Sequence, residues 1–196
     1  MNVSIMLSGV GGQGTILASK LIAQAAMEKG LSARTAETIG MAQRGGCVVS
    51  HVRIGEEIHS PMIPIKGADL ILGFEPAEAV RCLPYLKEGA AVVVSAKEVK
   101  PVTAALGGTD YRAQDMLDFL RQKVGNVVVV DTEAICRECG SAKVLNTALL
   151  GAAAATGKLG LTPEEIEGAL KKRLPEKLIP MNLQALRAGA QARVGE

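Results

Sequence analysis

The stretch VSIMLSGVGGQG, residues 3–14, decides the fold of this chain. Its apolar first half is typical of a buried strand and leads directly into closely spaced glycines. Residues 15–29 follow with apolar side chains at helical spacing. Strand, glycine turn and helix form the opening of a βαβ unit. Gly9, Gly11 and Gly14 fit G-x-G-x-x-G, in which the glycines permit a turn, a close approach and the packing of helix on strand.

The glycine loop alone allows two interpretations. Its backbone amides would face outward at a helix N-terminus, which suits a phosphate or a carboxylate. A dinucleotide site also needs an acidic residue about 20 positions further on. Arg34 stands near that position, and Glu37 lies beyond it. The loop is therefore either a ligand-binding corner or a turn that only lets helix and sheet pack.

Composition restricts the class of protein. A chain of 196 residues suits one large domain. The net charge of +2 and the aromatic content of 2% argue against a nucleic-acid interface, which uses basic patches and stacking rings. We find no signal-peptide pattern and no apolar run near the roughly 20 residues of a membrane helix. We expect a cytoplasmic protein without nucleic-acid or membrane partners.

The cysteines do not form a recognisable framework. A cytoplasmic chain keeps its thiols reduced, so we expect no disulfides. The C-x-x-C at residues 136–139 lacks the further ligands that a structural zinc site needs. It is either a redox pair or, as we favour, two partly buried thiols on a helix. The four cysteines are Cys47, Cys82, Cys136 and Cys139.

The hydrophobic pattern predicts an α/β fold with a largely parallel, Rossmann-like sheet and an edge hairpin. Continuous apolar runs separated by helical segments indicate strands that are covered on both faces. Residues 58–65 form an extended segment that Pro61 and Pro64 restrict to a sheet edge, next to the strand at residues 47–54. The other strands are expected at residues 31–37, 68–74, 90–95 and 126–131.

No strand signal follows residue 131. Helices are expected at residues 132–139, 142–156, 163–173 and 182–192, and residues 97–110 are expected to form a loop. Thr162 with Glu165 forms a capping-box pattern. We therefore expect a single domain over residues 1–196, with an α/β core at 1–131 and a helical cap at 132–196.

Two motifs together resemble one family. Residues 9–14, GVGGQG, and residues 37–55, ETIGMAQRGGCVVSHVRIG, are similar to the gamma-type domain of the 2-oxoacid:ferredoxin oxidoreductases. Within that group the chain resembles the small subunits of the arylpyruvate, indolepyruvate-type enzymes. Shorter matches at residues 75–79, 83–86, 146–151, 174–177 and 182–183 extend the resemblance over nearly the whole chain.

The resemblance implies a subunit of an oxidoreductase that is not active alone. A large alpha subunit would carry thiamine diphosphate and 4Fe–4S clusters. The complex would decarboxylate the oxoacid, join the acyl group to coenzyme A and pass electrons to ferredoxin. The small subunit would hold none of these cofactors by itself and contribute no catalytic residue.

We expect two turns to meet at the carboxyl ends of adjacent parallel strands, where open α/β sheets bind ligands. Backbone amides, Gln43 and Arg44 would then face coenzyme A phosphates, an oxoacid carboxylate or an acidic patch of the large subunit. Arg44 could equally be a solvated or subunit-contacting turn residue. The candidate binding residues are Gly9, Gly11, Gly12, Gln13, Gly14, Gln43, Arg44, Gly45 and Gly46.

Other interpretations stay open. The glycine loop alone also fits a free-standing NAD- or FAD-binding protein, and a subunit whose glycines bind nothing is a third possibility. His51 has a side chain that titrates near neutrality, but we favour a structural role because no partner accompanies it at a recognisable spacing. Glu37 and Glu75 end strands and either bind a ligand hydroxyl or cap the helices and turns after those strands.

Overall fold

The computed structural model describes residues 2–39, 46–99 and 110–192. Its six strands form one sheet in the order β2-β3-β1-β4-β5-β6. β3 is antiparallel to β1 and to β2, whereas β1, β4, β5 and β6 pair in parallel. Five of the six strands therefore point the same way. The strands are β1 Val3–Val10, β2 Ser32–Ile39, β3 Cys47–Gly55, β4 Ala68–Gly73, β5 Leu86–Ser95 and β6 Asn126–Val130.

Helices cover both faces of the sheet, as the uninterrupted apolar strands predict. Alternate strand residues enter two separate cores: Ile5 and Leu7 contact one, and Met6 contacts the other. The first core lies under α1 and α4–α7, and the second lies under α2, α3 and residue Ile63. The helices are α1 Thr15–Glu28, α2 Pro76–Arg81, α3 Ala113–Lys123, α4 Thr132–Glu138, α5 Leu145–Ala155, α6 Pro163–Arg173 and α7 Ile179–Gln191.

The helix ends follow the local sequence signals. Gly30 adopts φ +83°, and the amides of Gly30 and Leu31 return to the carbonyls of Met27 and Ala26, which closes α1. At the start of α6, Thr162 and Glu165 bond each other's backbone amides in the predicted capping box. A short 3-10 turn precedes α5, so this helix begins at residue 145 rather than 142. A 3-10 turn also precedes α7, which begins at residue 179, earlier than the expected residue 182.

The edge hairpin is formed by a different pair of segments from the one we expected. β2 pairs with β3 along its whole length, and no residue of 58–65 belongs to a strand. Prolines in that segment lack the N–H groups that a ladder needs. Its backbone instead contacts side chains of the sheet: Ile63 N donates to His51 Nδ1 at 3.2 Å, and Ser60 O accepts from Arg53 Nη1 at 3.1 Å. The segment covers the sheet without joining it.

α5 and α7 pack closely through small residues. A Cβ on Gly151 would overlap the carbonyl group of Leu186, and one on Gly189 would overlap that of Ala148. The contact between the two helices therefore requires glycine at both positions.

Candidate functional site: a glycine corner and its cleft

The glycine corner, defined as Gly11 to Gly14 together with Gly46, lies at the carboxyl end of β1. Gly12 and Gly14 have φ of +101° and +85°, in the left-handed region that favours glycine. Gly14 is the N-cap of α1, and the first turn of this helix carries neither a capping side chain nor an acidic residue. The first amides of α1 thus have no side-chain acceptor, and the helix dipole favours an anion there.

Gly9 has a packing role, not the turn role that the motif suggests. It lies within β1, where a Cβ would approach Phe74 Cβ to 2.7 Å and Gln13 Oε1 to 2.8 Å. Gly14 likewise makes room for a neighbour. A Cβ there would lie 2.9 Å from Asn146 Nδ2 of α5, so Gly14 permits contact with a helix far along the chain.

Gln13 ties two strands together. Its Oε1 accepts from Val10 N at 2.7 Å, and its Nε2 donates to Phe74 O at 2.9 Å. Val10 ends β1 and Phe74 follows β4, so one amide holds the carboxyl ends of the two strands at the point where the chain order reverses. Both ends of the Gln13 amide are engaged in this way, which fixes the orientation of its side chain.

The second glycine turn reaches the first one through Gly46. Gly11 N donates to Gly46 O at 2.9 Å, so the residue that precedes β3 is bonded to the corner. The geometry differs from the expected pair of adjacent parallel strands, because β3 is antiparallel and separates β1 from β2. Gln43, Arg44 and Gly45, the other candidate residues of this turn, lie outside the described residues.

A cleft of about 510 Å³ opens beside the glycine corner. Gly12 and Gly14 line one side, and Asn146 and Lys143 line the other. Lys97, two residues after β5, also lines it, and its backbone amide is held by Ser95 Oγ at 3.0 Å. Two lysines and free helix amides make this cleft suited to an anion.

A second lobe of about 440 Å³ adjoins the cleft and shares Lys97, Ala142 and Leu145 with it. Lys97 borders both lobes, and Arg137 adds a further cation to the second. Glu133 is the acidic residue of that lobe, with its Oε1 3.8 Å from Lys97 Nζ. Positive charge therefore borders both parts.

Sequence analysis did not single out Lys97, Lys143 or Asn146 as site residues. Lys97 could have been found from the rule that open α/β sheets bind ligands beyond the carboxyl ends of their strands. Asn146 begins one of the segments that match the family, but the match does not say what its side chain does. Lys143 carries no local signal, because only the packing of α5 brings it to the corner.

Cys136 borders the second lobe and carries a free thiol. Its Sγ lies 3.8 Å from Ala142 O, and burial raises the pKa of both Cys136 and Cys139. A raised pKa reduces the thiolate fraction at neutral pH, and thiolate is the reactive form. Within residues 2–39, 46–99 and 110–192 no three His, Cys, Asp or Glu side chains are placed to hold a metal ion.

His51 and Glu75 have structural partners away from the cleft. The buried His51 accepts from Ile63 N through Nδ1, and its ring meets Tyr85 edge-on at 6.0 Å. Glu75 caps α2 by accepting from Glu78 N at 3.1 Å, and it also accepts from the Tyr111 hydroxyl. Burial raises the pKa of Glu75 despite these bonds.

Glu37 accepts a bond from Ser19 Oγ of α1 at 3.2 Å. In a dinucleotide-binding site, a carboxylate after the second strand bonds the ribose hydroxyl. One oxygen of the Glu37 carboxylate is instead bonded to Ser19. None of the helices in the described part of the chain has the length and apolar character to span a membrane.

The fold and the corner define a Rossmann-like α/β protein with a glycine loop at the carboxyl end of β1. The chain matches the pyruvate ferredoxin/flavodoxin oxidoreductase family over residues 4–192. It therefore belongs to that family.

Individual relatives cover nearly the whole chain. It is 40% identical to the indolepyruvate oxidoreductase subunit IorB of Methanothermobacter thermautotrophicus, over 96% of both chains. It is 35% identical to the subunit of the same name from Thermococcus kodakarensis, over 96% of this chain and 95% of that one. Among solved structures, the gamma subunit of a keto/oxoacid ferredoxin oxidoreductase from Geobacter sulfurreducens matches with a TM-score of 0.74 and 26% identity, covering 98% and 96%. The chain thus corresponds to a small subunit of these oxidoreductases.

Proposed function

We propose that this chain is the small subunit of an arylpyruvate:ferredoxin oxidoreductase of the indolepyruvate type. The observation that supports this most strongly is the 40% identity to an indolepyruvate oxidoreductase subunit over nearly the full length of both chains. The complex would convert an arylpyruvate and coenzyme A into carbon dioxide and an acyl-CoA. Two electrons would pass to ferredoxin, and the reaction would take place in the cytoplasm.

The division of labour places the redox chemistry in the large alpha subunit. That partner would hold thiamine diphosphate and the 4Fe–4S clusters, and ferredoxin would reach the complex through it. The described residues of this chain offer amides, lysines and a cleft, which are groups that bind and orient an anion. Its contribution is therefore binding and assembly.

The ligand of the glycine corner is proposed to be the phosphate portion of coenzyme A. The α1 amides and two lysines favour an anion with more than one charge, and the two lobes suit an extended molecule. Gln43 and Arg44, which precede Gly46 in sequence, would add donors from the second turn. An oxoacid carboxylate and an acidic patch of the large subunit are the competing occupants.

Assembly with the large subunit tests the assignment of the complex. Each subunit alone should fail to reduce ferredoxin with indolepyruvate, and the mixed or co-expressed pair should do so in a coenzyme A-dependent reaction. Turnover by this chain alone would contradict the proposal. Tight NADH binding or a bound flavin in the purified chain would instead favour the free-standing dinucleotide protein.

Arg44→Ala in the assembled complex tests the ligand. The KM for coenzyme A should rise while the KM for the oxoacid stays the same, because Arg44 would contact only the phosphates. Arg121→Ala is the matched control, since Arg121 lies on α3 and pairs with Asp118 at 3.1 Å, away from the cleft. Unchanged KM values in the Arg44 variant would remove its ligand role.

A further inference from the structure

Asn146 is a buried polar residue whose amide faces the cleft. It lies in the first turn of α5, is 3% exposed and borders the cleft beside Gly14. Its Nδ2 has no hydrogen-bond acceptor among the residues that the structure describes, although its Oδ1 is bonded. Nδ2 is not fully buried, so it reaches the open space of the cleft and is available to donate to a bound ligand.

The orientation of the Asn146 amide is fixed by its neighbour. Oδ1 accepts from Thr147 N at 2.9 Å. Rotating the amide by half a turn would place the NH₂ group against the N–H of Thr147, where two donors would meet without an acceptor. Oδ1 must therefore face Thr147, and Nδ2 must face Gly14 and the cleft.

A second set of hydrogen bonds fixes the position of Thr147, the residue that bonds Asn146 Oδ1. The Thr147 hydroxyl donates to Asn182 Oδ1 at 2.7 Å, and Asn182 Nδ2 donates to Leu178 O at 2.8 Å. Thr147 and Asn182 are themselves buried. Thr147 is thereby fixed between α5 and α7, and its backbone N–H holds Asn146 Oδ1, so the Nδ2 group of Asn146 faces the cleft.

We propose that Asn146 is a ligand-binding residue, whose Nδ2 donates to a phosphoryl oxygen held against the N-terminus of α1. Gly14 lacks a Cβ where one would crowd Nδ2, so the amide donor and the helix amides can share one anion. Lys97 and Lys143 border the same space and balance a charge above that of one carboxylate. The site therefore selects the diphosphate of coenzyme A over an oxoacid carboxylate.

This inference rests on the proposed function, since it assigns a further donor to the same site. Asn146→Asp tests it in the assembled complex. The change keeps the shape and the acceptor for Thr147, but turns an oxygen toward the ligand in place of the donor. Loss of a charged hydrogen bond and the added repulsion should weaken coenzyme A binding by about 10- to 100-fold, measured by calorimetry and as KM. The KM for the oxoacid should stay the same.

Asn126→Asp is the matched control, because it adds the same charge. Asn126 begins β6, at the opposite end of the sheet from the corner, and its Nδ2 lies 3.4 Å from Gly89 O. The complex that carries Asn126→Asp should bind coenzyme A with the same affinity as the unmodified complex. If Asn146→Asp does not assemble, the smaller uncharged Asn146→Ser gives the same reading with a smaller loss of affinity.

The outcomes separate this inference from the proposal on which it rests. If Arg44→Ala weakens coenzyme A binding and neither Asn146 variant does, the proposed role of Asn146 is wrong. The proposal that coenzyme A binds at the glycine corner is then still supported. If none of these variants weakens it, both fail. A rise in the KM for the oxoacid alone would overturn the phosphoryl assignment.

Discussion

At the scale of single residues, burial decides what the two histidines do. His51 is buried, and burial lowers the pKa of its imidazole below the usual 6.5. Protonation would also place an N–H on the nitrogen that accepts from Ile63 N. Below pH 6.5 the unfolded chain therefore binds a proton that the folded chain resists, and the free energy of unfolding falls as pH falls toward the lower, folded pKa.

His51→Gln should reduce this loss of stability. Urea unfolding between about pH 7.5 and about pH 5, a window around the histidine pKa, should show a flatter pH dependence than in the unmodified chain. The exposed His59 provides the control, since its substitution removes an imidazole that is not buried. His59→Gln should retain the original pH dependence, and equal slopes for the unmodified chain and His51→Gln would show that another group is responsible.

Single residues also show where sequence reasoning reaches its limit. The amide of Gln13 is a plausible ligand donor in the sequence, but its partner Phe74 O is 61 residues away. Lys97 and Asn146 come from segments that only the parallel topology brings to the corner. Local motifs identified the glycine loop, whereas the groups that complete its cleft depend on long-range packing.

At the scale of elements, glycines in helices have opposite effects according to what faces them. A Cβ on Gly189 of α7 would overlap the carbonyl of Ala148 on α5, so Gly189→Ala should force the helices apart and destabilise the protein by about 1–3 kcal/mol or more. Gly168 of α6 has space, with Glu28 Oε2 at 3.8 Å. Gly168→Ala should stabilise by up to about 1 kcal/mol through helix propensity.

Thermal unfolding of the two variants measures the difference. The midpoint should fall for Gly189→Ala and rise for Gly168→Ala. Shifts of the same sign in both would show that the α5–α7 contact does not limit stability, and that propensity alone decides.

Elements also differ in how well the sequence predicted them. β1 and α1 follow from neighbouring residues, because apolar runs and helical spacing are local signals. The predicted hairpin partner of β3, residues 58–65, was wrong, since only a short connection separates that segment from β3 in the sequence and this favoured pairing the two. The observed partner, β2, is selected by pairing across the sheet, in which Ala33 lies opposite Ile54 and Thr35 opposite Val52. Local turn signals do not report that choice.

At the scale of the whole molecule, the helices after β6 complete the same core as the first βαβ unit. Leu21 and Ile22 of α1 share one apolar cluster with Ile166 of α6 and Leu149 of α5. Lys29 and Glu165 add an exposed ion pair at 3.0 Å, which contributes little by comparison. We therefore expect residues 1–131 and the helices after them to unfold together.

Calorimetry tests this expectation. The chain should unfold in one transition whose calorimetric and van't Hoff enthalpies agree. A fragment of residues 1–131 should lack a cooperative transition, because it would expose the apolar face of β5 and β6 that α5 covers. Two resolved transitions, or a stably folded fragment, would show that the helical part is a separate domain.

The bond from Gly11 N to Gly46 O has a consequence for how this subunit can vary. It anchors the polypeptide just before β3, while pairing of Ile39 with Val48 anchors it at the end of β2. The connection between these two anchored positions, residues 40–45, therefore starts and ends at fixed points of the sheet. Lengthening it costs little loop-closure entropy, so this connection can change in length while the architecture stays the same.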